Sequence, residues 1–192
     1  MIPSLSILIP AIPERANMLM NLLDKLYNQL DGIPIDNDVE ILVFMDNRVR
    51  SIGMKREGLK KLAKGKYFCF LDDDDDVTDD YLFELWSKCK DEDVDVICFD
   101  SLADVEGVKS QVSVSIKNQN EQYNHDGDTL RKPCHVNCWN TKKFKKYHFS
   151  DASYGEDFYF AEKCYPHITT SYKIDKILHY YNFRADISKA DN

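Results

Sequence analysis

The sequence predicts an α/β protein: a mixed, mostly parallel sheet with helices on both faces. Three observations predict it. Apolar runs of strand length alternate with stretches of helical periodicity over residues 1–100. The strand runs are apolar at successive positions, as in a sheet covered on both sides. Breakers separate the runs, chiefly "DGIPIDND" at 31–38 and Gly65.

Taken in order, Leu5 to Ile9 is a strand that stops at Pro10. Leu19, Leu22, Leu23, Leu26 and Leu30 then fall on one face of a helix. Val39 to Met45 is a second strand, ending at Asp46. Ser51 caps a helix carrying Met54, Leu59, Leu62 and Ala63, which stops at Gly65. Tyr67 to Leu71 is the third strand, Leu82, Leu85, Trp86 and Cys89 mark the next helix, and Val94 to Phe99 is the fourth strand. After residue 100 the pattern changes. "VKSQVSVSIKNQN" alternates like a half-exposed antiparallel strand, and "NEQYNHDGDTLRKP" reads as a polar loop. "CHVNCWNTKKFKKYHF" combines a strand with a basic cluster, and "GEDFYFAEKCY" opens a helix with carboxylates in its first turn. The expectation is one domain over 1–192, with a nucleotide-binding half at 1–100 and an irregular half at 101–192.

Composition narrows the class. Hydrophobic residues are 43% and aromatics 12%, which excludes a disordered chain. The six cysteines are scattered, and Cys69 and Cys98 lie in apolar runs, which points to a reducing compartment. The N-terminus lacks a basic stretch before its apolar run, and no apolar run approaches the ~20 residues of a membrane span. A cytoplasmic protein without a membrane anchor is expected. The net charge of -8 is uneven: residues 1–100 carry 12 Lys and Arg against 21 Asp and Glu, and residues 101–192 carry 13 against 12.

The acidic excess centres on "KYFCFLDDDDDVTDD" at 66–80, where a buried strand runs straight into Asp72, Asp73, Asp74, Asp75 and Asp76. In parallel α/β sheets ligands bind beyond the carboxyl ends of the strands, so this run opens where a ligand would lie. A solvated loop is the plain reading. A calcium EF-hand fails, because its Gly and Glu positions hold Val77 and Phe83. An aspartyl-nucleophile phosphatase would match Asp74, Asp76 and Thr78, but two residues late after the strand. The fourth reading is an Asp-x-Asp site where Mn2+ or Mg2+ holds a nucleotide diphosphate, since hard cations favour carboxylate and phosphate oxygens together. The chain has neither G-x-x-x-x-G-K nor G-x-G-x-x-G to cradle phosphates.

In "SILIPAIPER", "VEILVFMDN", "SIGMKREGLKKLAKGKYFCFLDDDD", "DDYL" and "YGED", in this order, the chain resembles the family 2 glycosyltransferases with the GT-A fold. The resemblance implies roles. Pro10, Ala11, Ile12, Glu14 and Arg15 would line the nucleotide pocket, and Asp46 would accept a hydrogen bond from the base, typically uracil. Lys55 and Arg56 would lie near base and phosphate. Asp72 would face the ribose and Asp74 the metal, with Asp72 and Asp75 completing the Asp-x-Asp-Asp motif and Asp73 at its variable position. Glu156 and Asp157 match the Glu-Asp motif, with Asp157 as general base; their plain reading is a favourable charge at a helix N-terminus. His179 would be a further metal ligand and Arg184 a phosphate contact, although a His among apolar residues is more often structural. Two departures stand out: the family's Asp-Asp-Gly-Ser is Asp46-Asn47-Arg48-Val49, and its Arg-Asn is Arg56-Glu57.

The function implied is metal-dependent, inverting transfer of a sugar from a nucleotide-sugar, UDP-linked, to an acceptor hydroxyl. The alternatives are a silent nucleotide-sugar-binding module and the phosphatase. Small stand-alone bacteriophage enzymes that glycosylate hydroxymethylated DNA bases share the resemblance. A DNA acceptor would meet Lys142, Lys143, Lys145 and Lys146, interleaved with Phe144, Tyr147 and Phe149; a solvated surface turn is the plain reading, and a glycan, lipid-linked sugar or protein are other acceptors. Cys134-His135-Val136-Asn137-Cys138 has too few ligands at the wrong spacing for zinc.

Overall fold

The computed structural model describes residues 2–31, 33, 38–119, 122–123 and 127–183. Its sheet begins with β1 (Leu5–Ala11), buried at every position. α1 (Ala16–Leu30) follows, then β2 (Val39–Met45), α2 (Ile52–Leu62) and β3 (Tyr67–Phe70). β1 lies between β2 and β3 and runs parallel to both. β2 forms the partly exposed edge.

Side-chain alternation along the strands divides the core in two. Leu5, Ile7, Ile9, Tyr67 and Cys69 face Leu19, Leu22 and Leu26 of α1, with Leu82 and Leu85 of α3 (Tyr81–Asp91). Leu8, Phe68 and Phe70 point the other way, to Leu59 of α2, Trp139, Phe144 and Phe160. The helix spacing of the leucines and the double-sided strands therefore have one cause, a sheet covered on both faces. The Ser51 side chain accepts from the Met54 N–H at 3.1 Å and caps α2, as the sequence requires.

Between β3 and α3 lies β4 (Asp76–Val77). The fourth long strand, β5 (Val96–Val105), does not stop at Phe99 but runs through residue 100 and turns into antiparallel β6 (Val108–Val114). The polar stretch expected to be a loop holds two short strands, β7 (Gln122–Tyr123) and β8 (Thr129–Arg131). β9 (Cys138–Asn140) is inserted antiparallel between β3 and β5, which makes the sheet mixed. α4 (Thr141–Phe144), α5 (Glu156–Cys164) and β10 (Ser171–Phe183) complete the order. β10 runs parallel to β5 and meets β4 antiparallel, with His179 opposite Val77. Among the described residues, no helix is long and apolar enough to cross a membrane.

Asp95, just before β5, joins three segments. Its carboxylate accepts from Thr169 N–H at 2.6 Å and Thr170 N–H at 3.0 Å, and pairs with Lys143 at 2.7 Å. Burial pushes this carboxyl up, but the Lys143 and Thr169 contacts outweigh it and hold the group at about 2, against 3.8 unperturbed. A depressed carboxyl stabilises the fold above its unfolded pKa, and the gain is lost as pH falls through the folded value. Asp95→Asn should therefore flatten the fall in melting temperature between about pH 4 and pH 2, measured by circular dichroism; an unchanged slope would remove Asp95 from the acid response.

The same contact bears on the basic cluster. Lys143 is spent on Asp95, and Lys145 donates to Ala63 O at 2.6 Å. Phe144 and Phe149 are buried in the core. Asn140, at the head of α4, pairs with Tyr67, the first residue of β3. The cluster thus sits at the opposite end of β3 from Asp72. The structure corrects the reading of interleaved aromatics that stack on bases, because the core takes two of the three rings.

Candidate active site at the carboxyl ends of the parallel strands

The ends of β1, β2 and β3 converge, and buried cations join them. Lys55 Nζ donates to Ala11 O at 2.8 Å, at the end of β1, and lies 2.7 Å from Asp46 Oδ1, past the end of β2. Arg50 meets the other Asp46 oxygen at 3.2 Å. Burial opposes the Asp46 charge, but Lys55 and Arg50 overcome it and lower the carboxyl. Next in the loop, Arg48 has φ 62, the left-handed conformation, at the position where the family pattern has glycine. Arginine takes up that backbone at a cost of about 1–2 kcal/mol, and its Nε pairs with exposed Glu14 at 3.1 Å.

The five aspartates go to different places. Asp72 Oδ1 receives Arg56 Nη2 at 2.6 Å. Asp73, 2% exposed, turns back to the end of β1, where it accepts from Ile12 N–H at 2.8 Å and Arg15 Nη1 at 3.1 Å. Asp74 lies 3.2 Å from the same Arg15 group. Asp75 is 2.9 Å from His179 Nε2, whose Nδ1 faces Ser101 Oγ at 3.0 Å. Asp76 pairs with Lys25 of α1 at 3.1 Å. The run is therefore an anchored loop, fixed by β3 on one side and by β4 against β10 on the other. Asp74 and Asp76 diverge, and Thr78 Oγ1 donates to Asp80 at 2.7 Å, so the phosphatase spelling brings no such site together.

Charge in this loop is not balanced. Burial raises the Asp74 carboxyl, and repulsion from Asp72 and Asp75 adds to it, reaching about 7 despite Arg15. Asp72 is the reverse: burial opposes its charge, but Arg56 and His135 hold it well below the carboxylate range. The donors are hard oxygens around uncompensated negative charge, which suits Mg2+ or Mn2+. Among the described residues no three His, Cys, Asp or Glu side chains converge as a ready-made metal cage. Mg2+ commonly takes one or two carboxylates and fills its remaining positions with substrate phosphates and water, and Asp74 meets that pattern. Asp75 and His179 are turned to each other, because two buried polar groups satisfy one another, so the expectation of His179 as a ligand is not what the geometry presents.

Opposite the loop stands the start of α5. Gly155, at φ +74, makes the left-handed turn into the helix. The segment before it is docked on α2: Gly53 N–H donates to Ala152 O at 2.9 Å, and a Cβ on Gly53 would meet Ser150 O at 1.9 Å. Glu156 is 4% exposed, and its Oε1 forms an ion pair with Arg56 Nη1 at 2.8 Å. Burial raises its carboxyl. Asp157 is more open, its side chain 26% exposed, with Oδ2 at 2.8 Å from His135 Nδ1. His135 Nε2 lies 3.5 Å from Asp72 Oδ2. Burial and Arg56 disfavour the imidazolium, but Asp157 and Asp72 prevail and raise His135 to about 10. In turn, burial opposes ionisation of Asp157, yet His135 and Arg56 hold its carboxyl well below the usual range.

The result is a chain of five charged side chains, linked in the order Asp157, His135, Asp72, Arg56 and Glu156. Arg56, expected near a ligand phosphate, is buried within this chain, because a guanidinium at this depth needs carboxylates on both sides. Lys55 is likewise buried between Ala11 and Asp46, so neither presents its charge to a ligand. Pro10 and Ala11 end β1 and Ile12 follows it, at the end of the sheet where these strands converge. Arg184 lies outside the described residues. His135 was missed as a site residue; its only sequence signal was an imidazole beside a buried strand, in a cysteine-flanked pattern that zinc does not fit.

Comparison with known proteins agrees with this geometry. The profile of the family described as "Glycosyl transferase family 2" matches residues 46–151, from Asp46 through the acidic loop and His135. Crystal structures of S. aureus TarS share the fold. One of TarS matches at 15% identity, with a TM-score of 0.64, covering 97% of this chain and 38% of that one. TarS 1-349 in complex with UDP matches at 16% identity, TM-score 0.65, with 97% and 62% covered. TarS 1-349 in complex with UDP-GlcNAc matches at 13% identity, TM-score 0.63, with 94% and 58% covered. The chain thus spans less than two thirds of each of these structures. No curated protein matches its sequence. With the profile covering more than half of its length and its fold matching these structures, the chain belongs to glycosyl transferase family 2 and has the GT-A fold.

Proposed function

We propose that the protein transfers a sugar from a UDP-sugar to an acceptor hydroxyl, with a divalent cation at Asp74. One observation carries the reading: an ionised, partly open Asp157 faces an acidic loop that holds more negative charge than its cations balance. Family membership and the UDP and UDP-GlcNAc complexes of the TarS structures support the donor class. The acceptor hydroxyl gives its proton to Asp157 as its oxygen attacks the anomeric carbon from the side opposite the diphosphate, which inverts that centre. The bond from that carbon to the diphosphate breaks, and its electron pair leaves with UDP. When bound, Mn2+ or Mg2+ supplies Lewis-acid stabilisation of that leaving group. Asp46, with carboxylate lone pairs beyond those used by Lys55 and Arg50, takes the uracil N3–H.

Calorimetry tests the donor site. UDP should bind more tightly with Mn2+ than with EDTA, and Asp74→Ala should erase most of that difference. If neither UDP nor UDP-GlcNAc binds with metal assistance, the donor assignment fails.

A further inference from the structure

We infer that His135 is a positioning residue, which aims the carboxylate of Asp157 at the acceptor and couples it to Asp72 at the donor end of the cleft. The inference rests on Asp157 being the base. It begins with how His135 is mounted. The short turn at 134–137 is closed by Asn137, whose Oδ1 accepts from Cys134 N–H at 3.0 Å and whose N–H donates to Cys134 O at 3.1 Å. Trp139 Nε1, in the core, donates to Cys134 O at 2.9 Å. The carbonyl of His135 itself accepts from Phe70 N–H at 3.0 Å. Phe70 ends β3, two residues before Asp72. The imidazole is thus carried on the strand that aims the acidic loop, and it reaches across to a different element, α5.

The two ring nitrogens have unequal grips. Nδ1 is 2.8 Å from Asp157 Oδ2, a close ion-pair contact, while Nε2 is 3.5 Å from Asp72 Oδ2. An ionised carboxylate only accepts, so any hydrogen shared across this contact belongs to Nδ1. One oxygen of Asp157 is committed to His135. The other is left to the acceptor hydroxyl, and its direction is set by a ring whose backbone is held to Phe70. A carboxylate on the first turn of a helix has rotational freedom about its side chain, and a misplacement of about 1 Å costs a rate on the order of 100-fold.

The test uses the whole chain with UDP-GlcNAc and Mn2+, reading UDP release to water. His135→Ala should lower kcat by roughly 10–100-fold with the donor KM within about threefold. His135→Asn, whose amide N–H falls near the Nδ1 position, should recover part of the loss. His135→Gln, whose amide reaches toward the Nε2 position, should not. In an Asp157→Asn background, His135→Ala should cost little more. Parental kcat in His135→Ala, equal loss in folded Asn and Gln variants, or additive losses would overturn the inference. If the parent itself releases no UDP, the proposed function fails, and proton NMR decides the inference separately. A low-field imidazole N–H resonance, absent in His135→Asn and displaced by Asp157→Asn, supports the coupling; one unmoved by Asp157→Asn overturns it.

Discussion

Asp157→Asn should reduce kcat for UDP release from UDP-GlcNAc by a factor of roughly 10²–10⁴, the contribution of a positioned general base. The donor KM should stay within about threefold, since the substitution keeps the shape of the side chain and leaves the acidic loop alone. The amide oxygen can still accept from His135 Nδ1, which stands 2.8 Å from Asp157 Oδ2, but an amide cannot take the acceptor's proton. The same neighbours shape the pH response. His135 and Arg56, working against burial, hold the Asp157 carboxyl below its usual range. A carboxylate with a depressed pKa is ionised throughout the working range, so kcat/KM should show no acid limb from Asp157 between about pH 5 and pH 8. The cost is lower basicity, which makes exact aim more important. Steady-state kinetics of parent and variant check both points. An Asp157→Asn enzyme that turns over within threefold of the parent would show that another group accepts the proton.

The first hundred residues were easy to read in the sequence because their signals are local. Ser51 three residues before Met54, leucines at helical spacing, and an apolar strand emptying into aspartates each report on neighbours in the chain. Asp46 and Asp72 could be placed at strand ends by the same logic. What was hidden depends on partners far away in sequence. β9 holds only Cys138–Asn140, and nothing in three residues announces that they will lie between β3 and β5. Arg56 resembled a ligand contact because basic residues beside a nucleotide site so often are; its carboxylates, Asp72 and Glu156, lie 16 and 100 positions on. His135 was read with its flanking cysteines, whereas its partners are on a loop and a helix start. Phe144 and Phe149 looked like an exposed aromatic set among lysines, yet pack against Trp139 and Phe160 in the core. In each case composition named the chemistry, and only the pairing of distant segments decided whether a charge or a ring faced solvent, core or substrate.

Replacing Arg56 with Met should destabilise the fold by about 3–5 kcal/mol, the cost of stranding a buried charge by removing its partner. Arg56 is 3% exposed and lies between Asp72 Oδ1 at 2.6 Å and Glu156 Oε1 at 2.8 Å, with its guanidinium 5.7 Å from the centre of the Phe70 ring. Methionine fills much of the same space, so the loss is chiefly electrostatic. At this chain length the deficit corresponds to a fall in melting temperature of roughly 10 °C. Its pH dependence follows from Glu156, whose carboxyl burial already raises. Without Arg56 that carboxylate is uncompensated at neutral pH, and a raised carboxyl takes up a proton in the folded state as pH falls. Native protein then binds more protons than unfolded chain, so the deficit should shrink toward the unfolded value of about 4. Removing the stranded charge chemically should act in the same direction: Arg56→Met with Glu156→Gln should melt above Arg56→Met alone at pH 7. Asp72 retains His135 as a partner in both variants, so the recovery isolates the Glu156 arm. Thermal melts of the parent, the single variant and the double variant across pH 5 to 8 check this. A double variant no more stable than the single one at pH 7 would show that Arg56 supports the fold through its packing on Phe70 and not through its pairing with Glu156.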